Sequence, residues 1–205
     1  SNAIWGVQSA DGTAKGNYGL IAGYFTAATP KLVFDRNEVH GGGDNPVLIE
    51  RWMGPIEITN NTLDNGVKNV SGGSDVIFVM NYGGVNNAQK QLISGNTIDM
   101  GWGTTYDSDH RGAGISIAGA YTGGTSAGGF SDVEIVGNTI VNLKPGRRGI
   151  SLWNNSSNGT AGLIENAIVA NNTITGATGE FGVRILGQAD GTQITNNWIE
   201  GVSDA

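Results

Sequence analysis

A chain of 205 residues can bury one sizeable core, but 35 glycines and few Leu, Lys or Glu leave little material for long helices. A net charge of −7 and an isoelectric point near 4.6 argue against a nucleic-acid backbone or an anionic membrane surface as the general partner. No apolar run approaches the roughly 18 residues of a membrane span, the lack of Cys excludes disulfides and thiolate metal sites, and 38% hydrophobic residues suffice only if strands bury one face each.

In chain order, Ser1-Asn2-Ala3 reads as a remnant of tag removal, set apart from a single domain over residues 4–205. Ile4 to Val7 and then Gly19-Leu20-Ile21 are the first strand candidates. Asn37 opens a series of short phrases in which Asn is followed two residues later by an aliphatic one, usually with a small or aromatic residue between, continued at Asn61, Asn96, Asn138, Asn172 and Asn197. The spacings are 24, 35, 42, 34 and 25, a near-constant minimum with variable excess, as in a solenoid whose coils share a fixed part and accept insertions in loops. His40, beside Gly41-Gly42-Gly43-Asp44, suits a loop better than a metal site, because the glycine run occurs once.

Within a unit, Ile56, Ile58 and then Leu63, or Val133, Ile135 and then Ile140, alternate with polar residues and change parity across Asn60-Asn61 or Gly137-Asn138. That pattern predicts strand, bend, strand, with a left-handed residue in the bend, which Gly and Asn tolerate best. A third strand is expected at Val47-Leu48-Ile49, Ile77-Phe78-Val79, Ile115-Ser116-Ile117, Ile150-Ser151-Leu152 and Val183-Arg184-Ile185, often after a glycine such as Gly114, Gly149 or Gly182. The N-x-[ST] triplets at Asn60, Asn154 and Asn171 match glycosylation acceptors, but Asn60 and Asn171 fall in the bend, where a glycan is expected to disturb the stacking of coils.

These phrases resemble the right-handed parallel β-helix of the pectate-lyase-like superfamily, whose repeat carries the same N-x-[IV] bend followed by G-I-x-[IL]. The resemblance implies an all-β solenoid of about five to six coils with three short strands each. A propeller is the competing architecture. Ile4-Trp5 and Trp198-Ile199 stand at the same phase of the repeat, so the expectation is a block of coils cut from a longer solenoid.

Function is expected where the repeat is interrupted. The longest unit inserts Trp102 to Arg111 before its third strand and Tyr121 to Ser131 after it, and the next coil carries Arg147 and Arg148 just before Gly149 to Trp153. Both insertions enter corresponding strands of adjacent coils. Asp107, Asp109, His110, Arg111, Arg147 and Arg148 are therefore the catalytic candidates, and Tyr82, Trp102, Tyr121, Trp153 and Arg184 the substrate-binding ones. Aromatic faces suit sugar rings, and guanidinium groups suit uronate carboxylates.

Eliminative cleavage of a uronate needs charge neutralisation, by Arg147 and Arg148 or by Ca²⁺ held by Asp107 and Asp109, and a base such as His110 or Arg111. Hydrolysis needs paired carboxylates, for which Asp107 and Asp109 are the candidates. The bland counterparts are solvated turns at Asp107-Ser108-Asp109 and Pro145 to Arg148, and aromatics that cover the coil. Two functions remain open: an extracellular or cell-surface module that cleaves an acidic polysaccharide as a lyase or glycoside hydrolase, and a noncatalytic surface solenoid acting as adhesin, spacer or carbohydrate-binding segment. A trimeric fibre would need outward apolar columns, of which Leu48 with Phe78 and Met80 with Leu186 offer fragments.

Overall fold

The computed structural model describes residues 2–5, 20–23, 30–40, 45–64, 75–81, 86–101, 112–119, 128–154, 162–187 and 189–204. In chain order the strands begin with β1 (Asn2–Trp5), β2 (Leu20–Gly23), β3 (Leu32–Asp35), β4 (Asn37–His40), β5 (Val47–Glu50), β6 (Ile56–Thr59) and β7 (Thr62–Asp64). They continue with β8 (Ile77–Asn81), β9 (Gln91–Ser94), β10 (Thr97–Asp99), β11 (Ala113–Gly119), β12 (Val133–Val136), β13 (Thr139–Leu143) and β14 (Arg148–Asn154). The last are β15 (Ile164–Glu165), β16 (Ala167–Ala170), β17 (Thr173–Leu186), β18 (Ala189–Asp190), β19 (Gln193–Thr195) and β20 (Trp198–Asp204).

All pairings among them are parallel, and each strand pairs with its equivalent one coil away. The first face is the six-stranded sheet β19-β16-β12-β9-β6-β3. The second, β1-β4-β7-β10-β13, and the third, β14-β11-β8-β5-β2, belong to one twelve-stranded sheet, because β17 runs unbroken from one face to the other. This is a parallel β-helix with three strands per coil, and the expected third strands all lie where the sequence puts them. Asn2 and Ala3, set apart as a tag remnant, lie in β1, paired with Asn37 and Glu38.

One feature of the coil was not anticipated. Isolated bridges join Asn87 to Phe130 and Phe130 to Ile164, and β15 pairs with β18, so a fourth short column closes several coils between the third and first faces. It is too short to carry a period-two pattern, which is why alternation could not reveal it. Asn87 anchors it by donating from Nδ2 to the carbonyls of Trp52 (2.7 Å) and Gly54 (3.2 Å).

The strand-bend-strand phrase has a clear physical basis. Residues one before each anchoring Asn have φ near +55 to +64°: Arg36, Asn60, Gly95, Gly137, Asn171 and Asn196. That left-handed residue reverses side-chain parity, so inward positions follow one another across the bend, as Ile58 and Leu63 do. The anchoring asparagines form a ladder from Asn37 through Asn61, Asn96, Asn138 and Asn172 to Asn197, each donating its backbone N–H and Nδ2 to the Oδ1 of the next.

The exposed Asn is thus the left-handed one, and the buried Asn stacks. Asn60 and Asn171 lie exposed on the bend, with Asn60 Nδ2 donating to Asp35 Oδ1 of the preceding coil at 2.9 Å; the residues that form the ladder are Asn61 and Asn172.

Inward columns such as Phe34, Ile58, Ile93, Ile135 and Val169 fill the interior. Each coil has too small a perimeter to bury them alone, and stacking at about 4.8 Å makes one continuous core.

Candidate functional site

The register of the third face decides which side chains share its outward surface. One outward column runs Leu48, Phe78, Ser116, Ser151, Arg184, and the next runs Glu50, Met80, Ala118, Trp153, Leu186. Leu48, Phe78, Met80 and Ala118 pack as a small buried cluster with Trp153 against it, Phe78 and Trp153 stacking at 6.4 Å between centroids and 17° between planes. Of the apolar fragments expected for a fibre contact, Leu48, Phe78 and Met80 are therefore covered, whereas Leu186 is exposed. Toward β14 and β17 the columns become polar, aromatic and cationic.

There Trp153 and Arg184 are diagonal neighbours: Arg184 stands opposite Ser151 in the adjacent strand, two residues before Trp153. Both are half-buried. Trp153 donates its Nε1–H to Ser116 Oγ at 2.9 Å, which fixes the indole plane. The Arg184 guanidinium lies 5.7 Å from the Phe181 ring centroid, a cation–π contact that orients it. An aromatic platform and a fixed guanidinium on one sheet face suit a sugar ring bearing a carboxylate.

At the entrance to the same strands lies an ionic cluster. Val47, Ile77, Ile115, Ile150 and Val183 occupy one row, which aligns Asp75 with Ala113 and Arg148 at the edge. Asp75 Oδ1 accepts the Ala113 N–H at 2.6 Å, and the Asp75 N–H donates to Asn45 Oδ1 at 3.1 Å. Arg148 is buried and its Nη2 lies 3.2 Å from Glu180 Oε2. The Glu180 N–H donates to the Arg147 carbonyl at 2.7 Å, tying this coil to the next.

Although Asp75 keeps some solvent contact, burial pushes its carboxyl up to about 7, against the opposing pull of the Ala113 N–H, the Arg148 charge, the Ser116 hydroxyl and the Arg147 charge. Burial also lowers the Arg147 guanidinium, with Asp75 resisting the shift. Ser116 connects the two parts of the site, since its hydroxyl receives the Trp153 N–H and also draws the Asp75 carboxyl down against the effect of burial.

The raised Asp75 value makes stability depend on pH. Between its unfolded value of 3.8 and about 7 the folded chain holds more protons than the unfolded one, so stability falls as pH rises through that window. Chemical unfolding of the parent chain from pH 4 to pH 8 is expected to show this loss, on the order of 2 kcal/mol at the upper end given the partial solvent contact. Asp75→Asn keeps the acceptor for Ala113 and should flatten the profile, giving a chain that is the more stable of the two above pH 7; identical profiles would show that Asp75 ionises normally.

Four of the residues singled out from sequence are thus placed: Arg147 and Arg148 at the entrance, Trp153 and Arg184 on the outward face, all within neighbouring coils. Asp107, Asp109, His110, Arg111, Tyr82, Trp102 and Tyr121 lie outside the described residues. Among the described residues no group of three or more His, Asp or Glu is arranged to hold a metal ion.

Asp75, Ser116 and Glu180 were missed, yet the signal for Asp75 existed: it precedes its third strand as Arg147 and Arg148 precede theirs. His40 ends β4 and is tied to the next coil, its Nδ1 2.6 Å from Asp64 Oδ2, with Glu38 Oε2 3.7 Å from Nε2. It lies on the second face, away from the cluster.

A family model described as a right handed beta helix region matches residues 15–199, in agreement with the architecture and supplying its hand. No curated protein and no solved structure matches the chain.

Proposed function

Because the chain belongs to the right handed beta helix family, a fold whose repeated positions build the coil and whose outward side chains are left for recognition, we propose that its third face binds an acidic polysaccharide in an extracellular or cell-surface setting. The observation that carries this reading is the pair Trp153 and Arg184, each held in one orientation, by Ser116 and Phe181 respectively, as diagonal neighbours on β14 and β17. An aromatic face supplies affinity for the sugar ring without charge, and the guanidinium selects a carboxylate in a chain that is otherwise acidic.

The test is retention in affinity electrophoresis through alginate, pectate and glycosaminoglycan gels, with neutral glucan as control. Arg184→Ala and Trp153→Ala should each weaken retention by acidic polymers about tenfold or more. Added salt should weaken the Arg184-dependent part more. Equal mobility in acidic and neutral gels sinks the proposal.

A second reading, cleavage of the bound chain, is favoured by Asp75. A carboxyl near neutrality beside Arg147 and Arg148 can accept or donate a proton at physiological pH, and the guanidinium groups can neutralise a uronate. Ultraviolet absorbance of unsaturated uronates and release of reducing ends, with Asp75→Asn as the control, separate the two readings: product from the parent chain alone favours cleavage, and retention without product favours binding.

A further inference from the structure

We propose that Glu38 and His40 form a binding site on the second face for a divalent cation of the zinc and copper class, with Asp64 of the next coil holding the imidazole in place. The inference is independent of the polysaccharide reading and uses groups that the third face leaves aside. Glu38 and His40 stand two residues apart in β4, on either side of the inward, buried Val39, so both side chains leave the sheet on its outward surface. Val39 pairs with Leu63 in β7, which brings Asp64, the last residue of that strand, opposite His40. His40 is half-buried and Glu38 exposed, so a cation has access from solvent.

The distances decide what can lie between these groups. His40 Nδ1 is 2.6 Å from Asp64 Oδ2, and Asp64 is only 6% exposed, which makes it a fixed acceptor. An ionised carboxylate can only accept, so Nδ1 carries the shared proton, and in the neutral ring Nε2 is then the lone-pair nitrogen. Metal-bound histidines are held in the same way, by a carboxylate on the nitrogen that faces away from the metal. Nε2 lies 3.7 Å from Glu38 Oε2. That is longer than a hydrogen bond, which closes at about 2.7 to 3.2 Å, and it turns a lone pair toward a carboxylate. A cation bonded at about 2.1 Å to each atom spans the gap and satisfies both.

One imidazole and one carboxylate suit Zn²⁺ or Cu²⁺, whereas Ca²⁺ takes oxygen ligands alone and in greater number. Asp64 stands behind the ring, so the direct protein ligands are two, and water or a group of an external ligand completes the shell. The neighbours on the face are neutral or already engaged. Thr62 stands opposite Glu38, and Asp99, which follows Asp64 in its column, accepts the Gly101 N–H at 2.7 Å and Asn142 Nδ2 at 2.9 Å.

Isothermal titration with Zn²⁺ and with Cu²⁺ tests this in the full chain carrying His110→Ala, which leaves His40 as the sole imidazole. One equivalent should bind, Cu²⁺ more tightly than Zn²⁺, and excess Ca²⁺ should not displace it. Electron paramagnetic resonance of the Cu²⁺ form should show an imidazole nitrogen on the metal. Adding His40→Gln, with circular dichroism confirming that the fold is kept, should abolish both signals. Glu38→Gln should weaken binding about tenfold or more, and so should Asp64→Asn, which keeps an acceptor for the ring but removes its charge. Absence of Zn²⁺ and Cu²⁺ binding, which would leave a proton as the only bridge between Nε2 and Glu38, overturns the proposal. So does binding that survives His40→Gln, or that is indifferent to both Glu38→Gln and Asp64→Asn.

Discussion

Gly149→Ala is expected to lower the free energy of unfolding by about 3 kcal/mol or more, at the top of the range for overpacked sites. A Cβ at this position would lie 2.5 Å from the Gly182 carbonyl oxygen and 2.6 Å from Ile174 Cγ2. The first neighbour is backbone of the next coil, held at the strand spacing by the pairing of β14 with β17, and the second belongs to a fully buried side chain. Neither can yield without opening the stack. Gly114 faces Ile140 and Gly182 faces Ile199 in the same way, so the glycine that precedes each of these third strands makes room for the isoleucine column of the second face.

A second substitution separates this cause from backbone freedom. Gly137 has φ of +64° and nothing within 4 Å of a Cβ, so Gly137→Ala should cost only about 1 kcal/mol, and Gly137→Asn less, as Asn60 and Asn171 occupy equivalent bends. Urea unfolding followed by circular dichroism and tryptophan fluorescence together detects segmental opening of the coil. If Gly149→Ala costs no more than Gly137→Ala, close packing of the second and third faces is not what fixes this glycine. In the Ile174→Ala background, where part of the obstruction is gone, the added cost of Gly149→Ala should shrink measurably.

Much of this architecture was legible because the physics of a coil repeats. Each unit must turn at the same place, bury the same parity and place an amide in the same bend, and so Asn61, Asn96, Asn138 and Asn172 announce themselves by spacing alone. The ladder itself, with both the backbone and the side-chain N–H of one Asn reaching one Oδ1 of the next, needed coordinates.

The candidate site was legible only in part, for the opposite reason. Arg147, Arg148, Trp153 and Arg184 could be aligned by register because they adjoin third strands. Asp75 was overlooked because a lone Asp after Gly-Gly-Ser resembles any turn; its raised pKa arises from burial that sequence does not display. Glu180 lies inside the long β17, where a continuous strand replaces the bend that other coils show. Asn87 and the fourth column were hidden because a single bridge per coil leaves no periodicity to detect.

Asn138→Ala, at the middle of the ladder, should cost about 3 to 5 kcal/mol. The Asn138 side chain is almost completely buried and serves three neighbours at once. Its Oδ1 accepts from the Asn96 N–H at 3.0 Å and from Asn96 Nδ2 at 2.9 Å, while its Nδ2 donates to Asn172 Oδ1 at 3.0 Å and to the Ile93 carbonyl at 3.0 Å. Alanine leaves the Asn96 N–H and the Ile93 carbonyl without these partners in an interior that water does not reach, and each such group costs about 1 to 3 kcal/mol. Asn138→Asp distinguishes donors from acceptors: the carboxylate can still take both Asn96 bonds but cannot donate to Asn172 or Ile93, and it carries a buried charge. Its penalty should therefore shrink as pH is lowered and the group becomes neutral.

Asn197→Ala is the internal control. Asn197 is only half-buried, donating from Nδ2 to the Val169 carbonyl at 2.8 Å and accepting from Asn172 at 2.9 Å, so water can replace what is lost. Its cost should fall to about 1 kcal/mol. Equal losses at Asn138 and Asn197 in urea unfolding would show that burial of the ladder is not the source of its strength. A clear gradient from the centre to the edge would identify the asparagine column as the bond that makes adjacent coils fold together.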